Sequence, residues 1–420
     1  MATENKKYIP ALRFPEFQND GEWKEYPLGQ IFSRITKRNS VNNQNVLTIS
    51  AQYGLISQYD YFNKNVAAID VSNYYHISKY DFAYNKSKSQ GYPYGAIKPL
   101  KLYEDGVVSP LYICFRIKDD RSFVNTFFEY YFESGLIHKE IDNISQEGAR
   151  NHGLLNISTK DFFDKIILYI PSFLEQKKIA DCLLSLDKYI DATKRKLELL
   201  KEHKKGLMQR LFPAKGKTTP ELRFPEFQND GEWQIVSLGE ITSVVNRRNK
   251  SNRSLPIYSI NNAEGFVPQS QQFAGMDSEA RGYDISAYKI IGKHTFAYNP
   301  ARINVGSIGY SGELKDILIS SLYVCFKTMD NVDDDFLMCF FDSYIFNQAV
   351  ESNVEGGIRS YLFYENFSRI NIAIPSLYEQ KRIASCITSI EDVIKQTNKQ
   401  ICLLETHKNG LLQQLFPKIK

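Results

Sequence analysis

The chain contains itself twice, and this constrains its fold more than any other feature. Pro10–Trp23 (PALRFPEFQNDGEW) returns as Pro220–Trp233 (PELRFPEFQNDGEW) with 13 of 14 residues identical. FAYN at Phe82–Asn85 returns at Phe296–Asn299, and LYICF at Leu111–Phe115 returns as LYVCF at Leu322–Phe326. Pro171–Pro213 then aligns without gaps on Pro375–Pro417, with 21 of 43 positions identical. Self-similarity on this scale means two copies of one structural unit, and 420 residues suffice for two buried cores. The ends of each copy match closely while the middles diverge, so one frame carries two different inserts. The expected divisions are 1–170 (leader and first insert domain), 171–213 (helix), 214–374 (second leader and insert domain) and 375–420 (second helix).

Each copy closes on a long helix with legible ends. Ser172-Phe173-Leu174-Glu175 and Ser376-Leu377-Tyr378-Glu379 have capping-box spacing, in which the serine accepts first-turn amides and the glutamate reaches back. Pro213 and Pro417 lack the amide needed to continue. In between, apolar residues step by four and three: Ile179, Leu183, Leu186, Ile190, Leu197 and Leu200 in the first copy, and Ile383, Ile387, Ile390, Ile394, Ile401 and Leu404 in the second. Thr193 and Lys204 break the first stripe, and Thr397 and Lys408 break the second at the same places. A 3.5-residue period over about five heptads predicts a coiled-coil seam. Two equal stripes in one chain predict two helices packed on each other, antiparallel if the copies are related by a pseudo-twofold axis.

Upstream of each helix, aromatic-rich segments such as LYICFRI and SLYVCFK alternate as half-buried strands do. Phe127–His138 and Phe336–Ala349 predict amphipathic helices. The class is therefore α+β: short mixed sheets with helices, in two tandem domains separated by two long antiparallel helices. No run of 18 apolar residues predicts a membrane span, and the polar residues 1–8 predict no secretory leader. Six cysteines without a C-x-x-C pair predict neither a zinc site nor a disulfide framework, and a reducing cytoplasm is the expected compartment.

The net charge of +4 conceals an uneven distribution. Tyr26–Tyr59, Phe82–Tyr103, Ile241–Ala263 and Ile285–Gly312 contain no Asp or Glu and together carry +14, leaving −10 for the rest. Lysine and arginine neutralise phosphates, while arginine and asparagine can contact base edges bidentately. The expected DNA-contacting residues are Arg34, Lys37, Arg38, Asn39, Lys86 and Lys88 in the first copy, and Arg247, Arg248, Asn249, Lys250, Arg253 and Arg302 in the second. Arg150 and Arg359, which follow the glycine-containing EGAR and GGIR segments, complete the set. One acid-free window is more often a solvated face; four in matched places favour a ligand.

Catalytic motifs are missing. There is no G-x-x-x-x-G-K-[ST] loop, no glycine-rich fingerprint for S-adenosylmethionine, no [DN]-P-P-[YF] tetrapeptide, no Pro-Asp dipeptide to open a PD-x-E-x-K nuclease site and no H-E-x-x-H. No catalytic residue and no metal ligand is expected in this chain.

The order of motifs, an ELRFPEF-type leader, a variable domain and then I-P-x-x-x-E-Q-[KR]-[KR]-I-A at Ile170–Ala180 and Ile374–Ala384, resembles the specificity subunits of type I restriction-modification systems. The resemblance implies two target-recognition domains, each reading half of a bipartite asymmetric site in double-stranded DNA, with the helices as spacer. It implies two modification subunits that methylate adenine, and restriction subunits that translocate and cleave. S-adenosylmethionine, ATP and Mg would be bound by those partners and no cofactor by this chain. The alternatives are a stand-alone DNA-binding regulator or a self-contained modification enzyme with fused recognition domains.

Overall fold

The computed structural model describes all residues except 1–7, 51–52, 63–69, 90, 146–154, 263, 274, 354–360 and 419–420. Packing divides the chain into two units, one formed by residues 1–194 with 400–420 and the other by residues 195–399. Each unit thus closes its core with the tail of a long helix.

In the first unit the strands are β1 (Lys24–Pro27), β2 (Phe32–Ile35), β3 (Leu47–Ser50), β4 (Gly54–Ser57), β5 (Tyr75–Ser78), β6 (Phe82–Asn85), β7 (Ala96–Pro99), β8 (Asp105–Val108), β9 (Ile113–Ile117) and β10 (Ile167–Ile170). The second unit repeats the series as β11 (Gln234–Ser237), β12 (Thr242–Val244), β13 (Ile257–Asn261), β14 (Gly265–Pro268), β15 (Lys289–Ile291), β16 (Phe296–Tyr298), β17 (Ile308–Tyr310), β18 (Ile317–Ile319), β19 (Val324–Thr328) and β20 (Asn371–Ile374). The principal sheets have the orders β2-β9-β6-β7 and β12-β19-β16-β17. The repeated FAYN and LY[IV]CF segments are their central strands. They bring Phe82 opposite Phe115 and Phe296 opposite Phe326, with ring centroids 5.5 Å and 5.1 Å apart. This cross-strand aromatic stacking explains why those segments recur while their surroundings drift.

The long helices span Phe173–Leu211 and Leu377–Gln414. All twelve stripe residues are buried or half-buried. Ile179 and Leu183 enter the first unit's aromatic core and Ile383 and Ile387 the second's, so the ends of the stripe serve globular packing rather than a seam. In the first unit Asp187 meets Lys408 at 2.6 Å and Lys194 meets Glu405 at 2.6 Å, which sets the two helical segments antiparallel. Thr193 and Thr397 spend their hydroxyls on the carbonyls of Tyr189 and Val393 within their own helices.

Two expectations are corrected. Each helix expected over Phe127–His138 and Phe336–Ala349 is a broken pair: Asn125–Glu133 with His138–Ile144, and Asp334–Phe341 with Tyr344–Asn353. Gly135, at φ 81°, breaks the first, and Ser343 caps the new start in the second by accepting from Phe346 N at 3.2 Å. In the capping boxes Ser172 does accept from Glu175 N, but the Glu175 carboxylate faces the leader. Arg13 donates to it through Nε and one terminal nitrogen at 2.8 and 2.7 Å, and Arg223 grips Glu379 with the same distances. The neighbouring Gln176 accepts from Val124 N and donates to Ser122 O and Pro171 O, as Gln380 does with Asp333 N, Asn331 O and Pro375 O. The E-Q of the motif is therefore a latch between leader, sheet and helix. Among the described residues no helix is long and apolar enough to cross a membrane, and all six cysteines are free thiols.

Candidate nucleic-acid interface

Strand direction places the acid-free windows together. β2 and β6 both run antiparallel to β9, which lies between them, so they run parallel to each other and end at the same edge of the sheet. Ile35 and Ala83 both register with Cys114, so residues 36–46 and residues 86–95 leave the sheet side by side. Two strand spacings of ~4.8 Å put the exits roughly 10 Å apart. In the second unit β12 and β16 flank β19 in the same way, and the loops after Val245 and Tyr298 leave one edge. Windows separated by about 50 residues of sequence therefore form one surface per unit.

The first loop of each pair is built on a buried asparagine. Asn39 donates to the carbonyls of Asn43 and Val71 and accepts from Asn43 N at 2.8 Å. Asn249 donates to the carbonyls of Arg253 and Ile285 and accepts from Arg253 N at 2.9 Å. Three residues on, Asn42 (φ 51°) and Asn252 (φ 47°) adopt the left-handed conformation that asparagine tolerates. The expectation that Asn39 and Asn249 touch bases is therefore corrected: at 5% and 0% exposure, with their amides satisfied internally, they shape the loop. Their backbones pair with the next strand, His76 N donating to Lys37 O and Ile290 N to Arg247 O. The second loop opens in both units on an Asx turn, Asn85 accepting from Ser87 N and Asn299 from Ala301 N.

On these two frames Lys37, Lys88, Arg247, Arg248, Lys250 and Arg302 are exposed and have no carboxylate partner among the described residues, and Arg34 is exposed on β2 itself. Arg38 donates to Asn73 O and lies 4.7 Å above the Tyr75 ring, so its guanidinium is oriented in advance. Arg253 reaches Asp316 at 3.4 Å. Lys86 is half-buried, and burial lowers its pKa below the ordinary lysine value. Arg150 and Arg359 lie outside the described residues.

The charge of the windows is smaller in space than in sequence. Lys98 pairs with Glu133 and Lys101 with Glu129, both acids on helix Asn125–Glu133, and Lys293 pairs with Glu313. Lys289 donates to Tyr323 O. These cations belong to the scaffold. Conversely, Asp105 escaped the sequence reading. It ties Asn43, Asn45 and His76 to the first loop, and its counterpart Asp316 takes Arg253 in the second. The 211-residue offset of the LY[IV]CF segments was the available signal, since it lays Asp105 on Asp316.

Comparison with known proteins agrees with this architecture. The domain family described as Type I restriction modification DNA specificity domain matches residues 230–405. A putative type I restriction enzyme MjaX specificity subunit of Methanocaldococcus jannaschii is 25% identical over 262 residues, covering 59% of this chain and 57% of that protein. The type I restriction enzyme MjaVIII specificity subunit of the same organism is 24% identical over 281 residues, covering 61% and 63%. The matched region thus spans about three fifths of the length of each relative. The crystal structure of a type I restriction-modification S subunit from M. genitalium superposes with a TM-score of 0.56 at 14% identity, covering 98% of this chain and all of that one, a likeness of fold. By sequence, residues 230–405 of the second copy are similar to the type I restriction-modification specificity domain, and by fold nearly the whole chain is similar to an S subunit of such a system.

Proposed function

We propose that the chain is a non-catalytic DNA-reading subunit, in which each unit presents its paired sheet-edge loops to one half of a bipartite, asymmetric site in double-stranded DNA. The observation that carries this reading is the shared exit of two acid-poor loops at one sheet edge in each unit, at a spacing of the order of the ~12 Å width of a major groove. The frames are the same while the presented residues differ, Lys37 and Arg38 in one and Arg247, Arg248 and Lys250 in the other, which supports two different half-sites. The match of residues 230–405 to the type I specificity domain supports the partners: two modification subunits that supply S-adenosylmethionine and methylate adenine, and restriction subunits that use ATP and Mg.

The test is to express the full chain with a type I modification subunit in a host lacking adenine methylation and to map methylated adenines across the genome. An interrupted motif that depends on this chain is expected. Methylation by the pure chain alone, or an uninterrupted motif, overturns the reading.

A further inference from the structure

The first unit fills one corner of its core with its own aromatic stack, and the second unit leaves that corner open. In the first, Tyr8 of the leader lies on Tyr169, ring centroids 3.8 Å apart and planes 21° from parallel. Tyr169 faces Glu25 across the β1–β10 pair; the equivalent pair in β11–β20 is Ile235 and Ala373. The Tyr8 carbonyl accepts from Trp23 N at 3.0 Å, and the residue that accepts from Trp233 N at 2.9 Å is Thr218. Thr218 is too short to reach the core, and its hydroxyl donates to Glu232 instead. Both rings are therefore lost together, replaced by threonine and alanine, and Ala373 with the neighbouring Lys217 lines a cavity of about 430 Å³. Phe340, Ile372, Ile235, Ala349 and Ala373 line it together with Lys215 and Lys217.

The exchange alters charge as well as volume. Glu25 and Glu140 flank the tyrosine stack in the first unit, and the matched positions here are the apolar Ile235 and Ala349. Lys215 and Lys217 are exposed and have no carboxylate partner among the described residues. The corner has lost two anions and two rings; in sequence its lysines are not new, since Lys217 falls on Lys7 at the 210 offset. The lining mixes apolar side chains with polar ones, Gln348, Asn353, Arg369 and Asn371 among them, and the volume is sufficient for a ring.

We propose that this cavity is a binding site for a small aromatic carboxylate, its ring in the place that Tyr8 takes in the first unit and its carboxylate against Lys215 and Lys217. The proposal is independent of the DNA-reading role.

Titration of 4-hydroxyphenylacetate into the full chain by calorimetry tests it, with p-cresol and cyclohexylacetate as probes that lack the carboxylate and the aromatic ring. Saturable one-site binding is expected, at least about tenfold tighter than either control. Thr218→Tyr, which returns a ring from the exposed leader, and Ala373→Tyr, which fills the wall, should each weaken it by at least about tenfold. Thr218→Tyr decides the matter if Ala373→Tyr does not fold. Absence of saturable binding, or binding that Thr218→Tyr leaves unchanged, overturns the site. Equal affinity for p-cresol or for cyclohexylacetate overturns the ligand class.

Discussion

Lys204 of the first long helix reaches Glu391 of the second at 2.7 Å and Asp342 at 2.6 Å. The heptad pattern breaks at Lys204 because a cation is needed there to join the helices to the domain. Lys408 repeats the arrangement, with Asp187 at 2.6 Å and Glu133 at 3.9 Å.

Burial works against the charge of Lys204, yet hydrogen bonds and the charges of Asp342 and Glu391 hold its pKa above the ordinary lysine value. A raised pKa means a stabilising contribution fully present at neutral pH and lost as pH rises through the folded-state value. The carboxylates are half-exposed, so screening keeps the contribution small, and Lys204→Met should cost about 1 kcal/mol at pH 7. Urea unfolding of both proteins from pH 7 to pH 11 checks this. The gap should close only above the ordinary lysine pKa; a gap that is constant to pH 11 argues against the charge as its source.

The leader latch should be costlier to break. Arg13 and Glu175 have side chains only 6% and 1% exposed, and their two parallel hydrogen bonds satisfy each other. Arg13→Ala strands a buried carboxylate and should destabilise the first unit by about 3–5 kcal/mol, whereas Arg13→Leu with Glu175→Leu should cost less than the single change. Thermal unfolding of the three variants decides. A double variant as damaged as Arg13→Ala would mean that packing, not charge, holds the latch.

In the loops proposed to read DNA, an exposed cation and the asparagine that frames it can be tested separately. Arg248→Ala should lower affinity for one half-site by about 1–3 kcal/mol if it reads a base, or reduce the slope of log affinity against log salt by about 1 if it holds a phosphate. Asn249→Ala should instead weaken every contact of its loop together and lower the melting temperature, because it leaves the carbonyls of Arg253 and Ile285 and the Arg253 amide without their partner. Binding measured on duplexes altered in one half-site at a time distinguishes the two. An Asn249→Ala protein with native stability and a single-base defect would restore asparagine to base reading.

The features legible in sequence were those with a local or periodic cause. Helix ends, heptad stripes and the repeat itself depend on neighbours in the chain, and Ser172, Pro213 and the Ile179–Leu200 stripe behave accordingly. Partnership across the fold was not legible. Lys98 and Lys101 lie in a window without acids, yet Glu133 and Glu129 reach them from a helix about thirty residues downstream. Asn39 has the composition of a base reader, and only the paths of residues 43 and 71 around it show that its amide is already used. The side-by-side exit of the loops follows from strand order, which spacing alone does not encode.

The chain passes between its units twice, between residues 194 and 195 and between residues 399 and 400, both times inside a long helix. A 39-residue helix at ~1.5 Å per residue is a rod of roughly 58 Å. Lengthening one helix alone would misalign Asp187 from Lys408 or Lys204 from Glu391, so the insertion must be matched. Four residues added at both crossings extend each helix by ~6 Å, close to one full turn, and leave every ion pair within a unit in place. At ~3.4 Å per base pair the unread gap between half-sites should grow by at most about two pairs while the half-sites stay the same. Genome-wide methylation mapping with the matched-insertion variant measures both at once. A folded, active variant that keeps the original gap would show that the helices do not set the spacing.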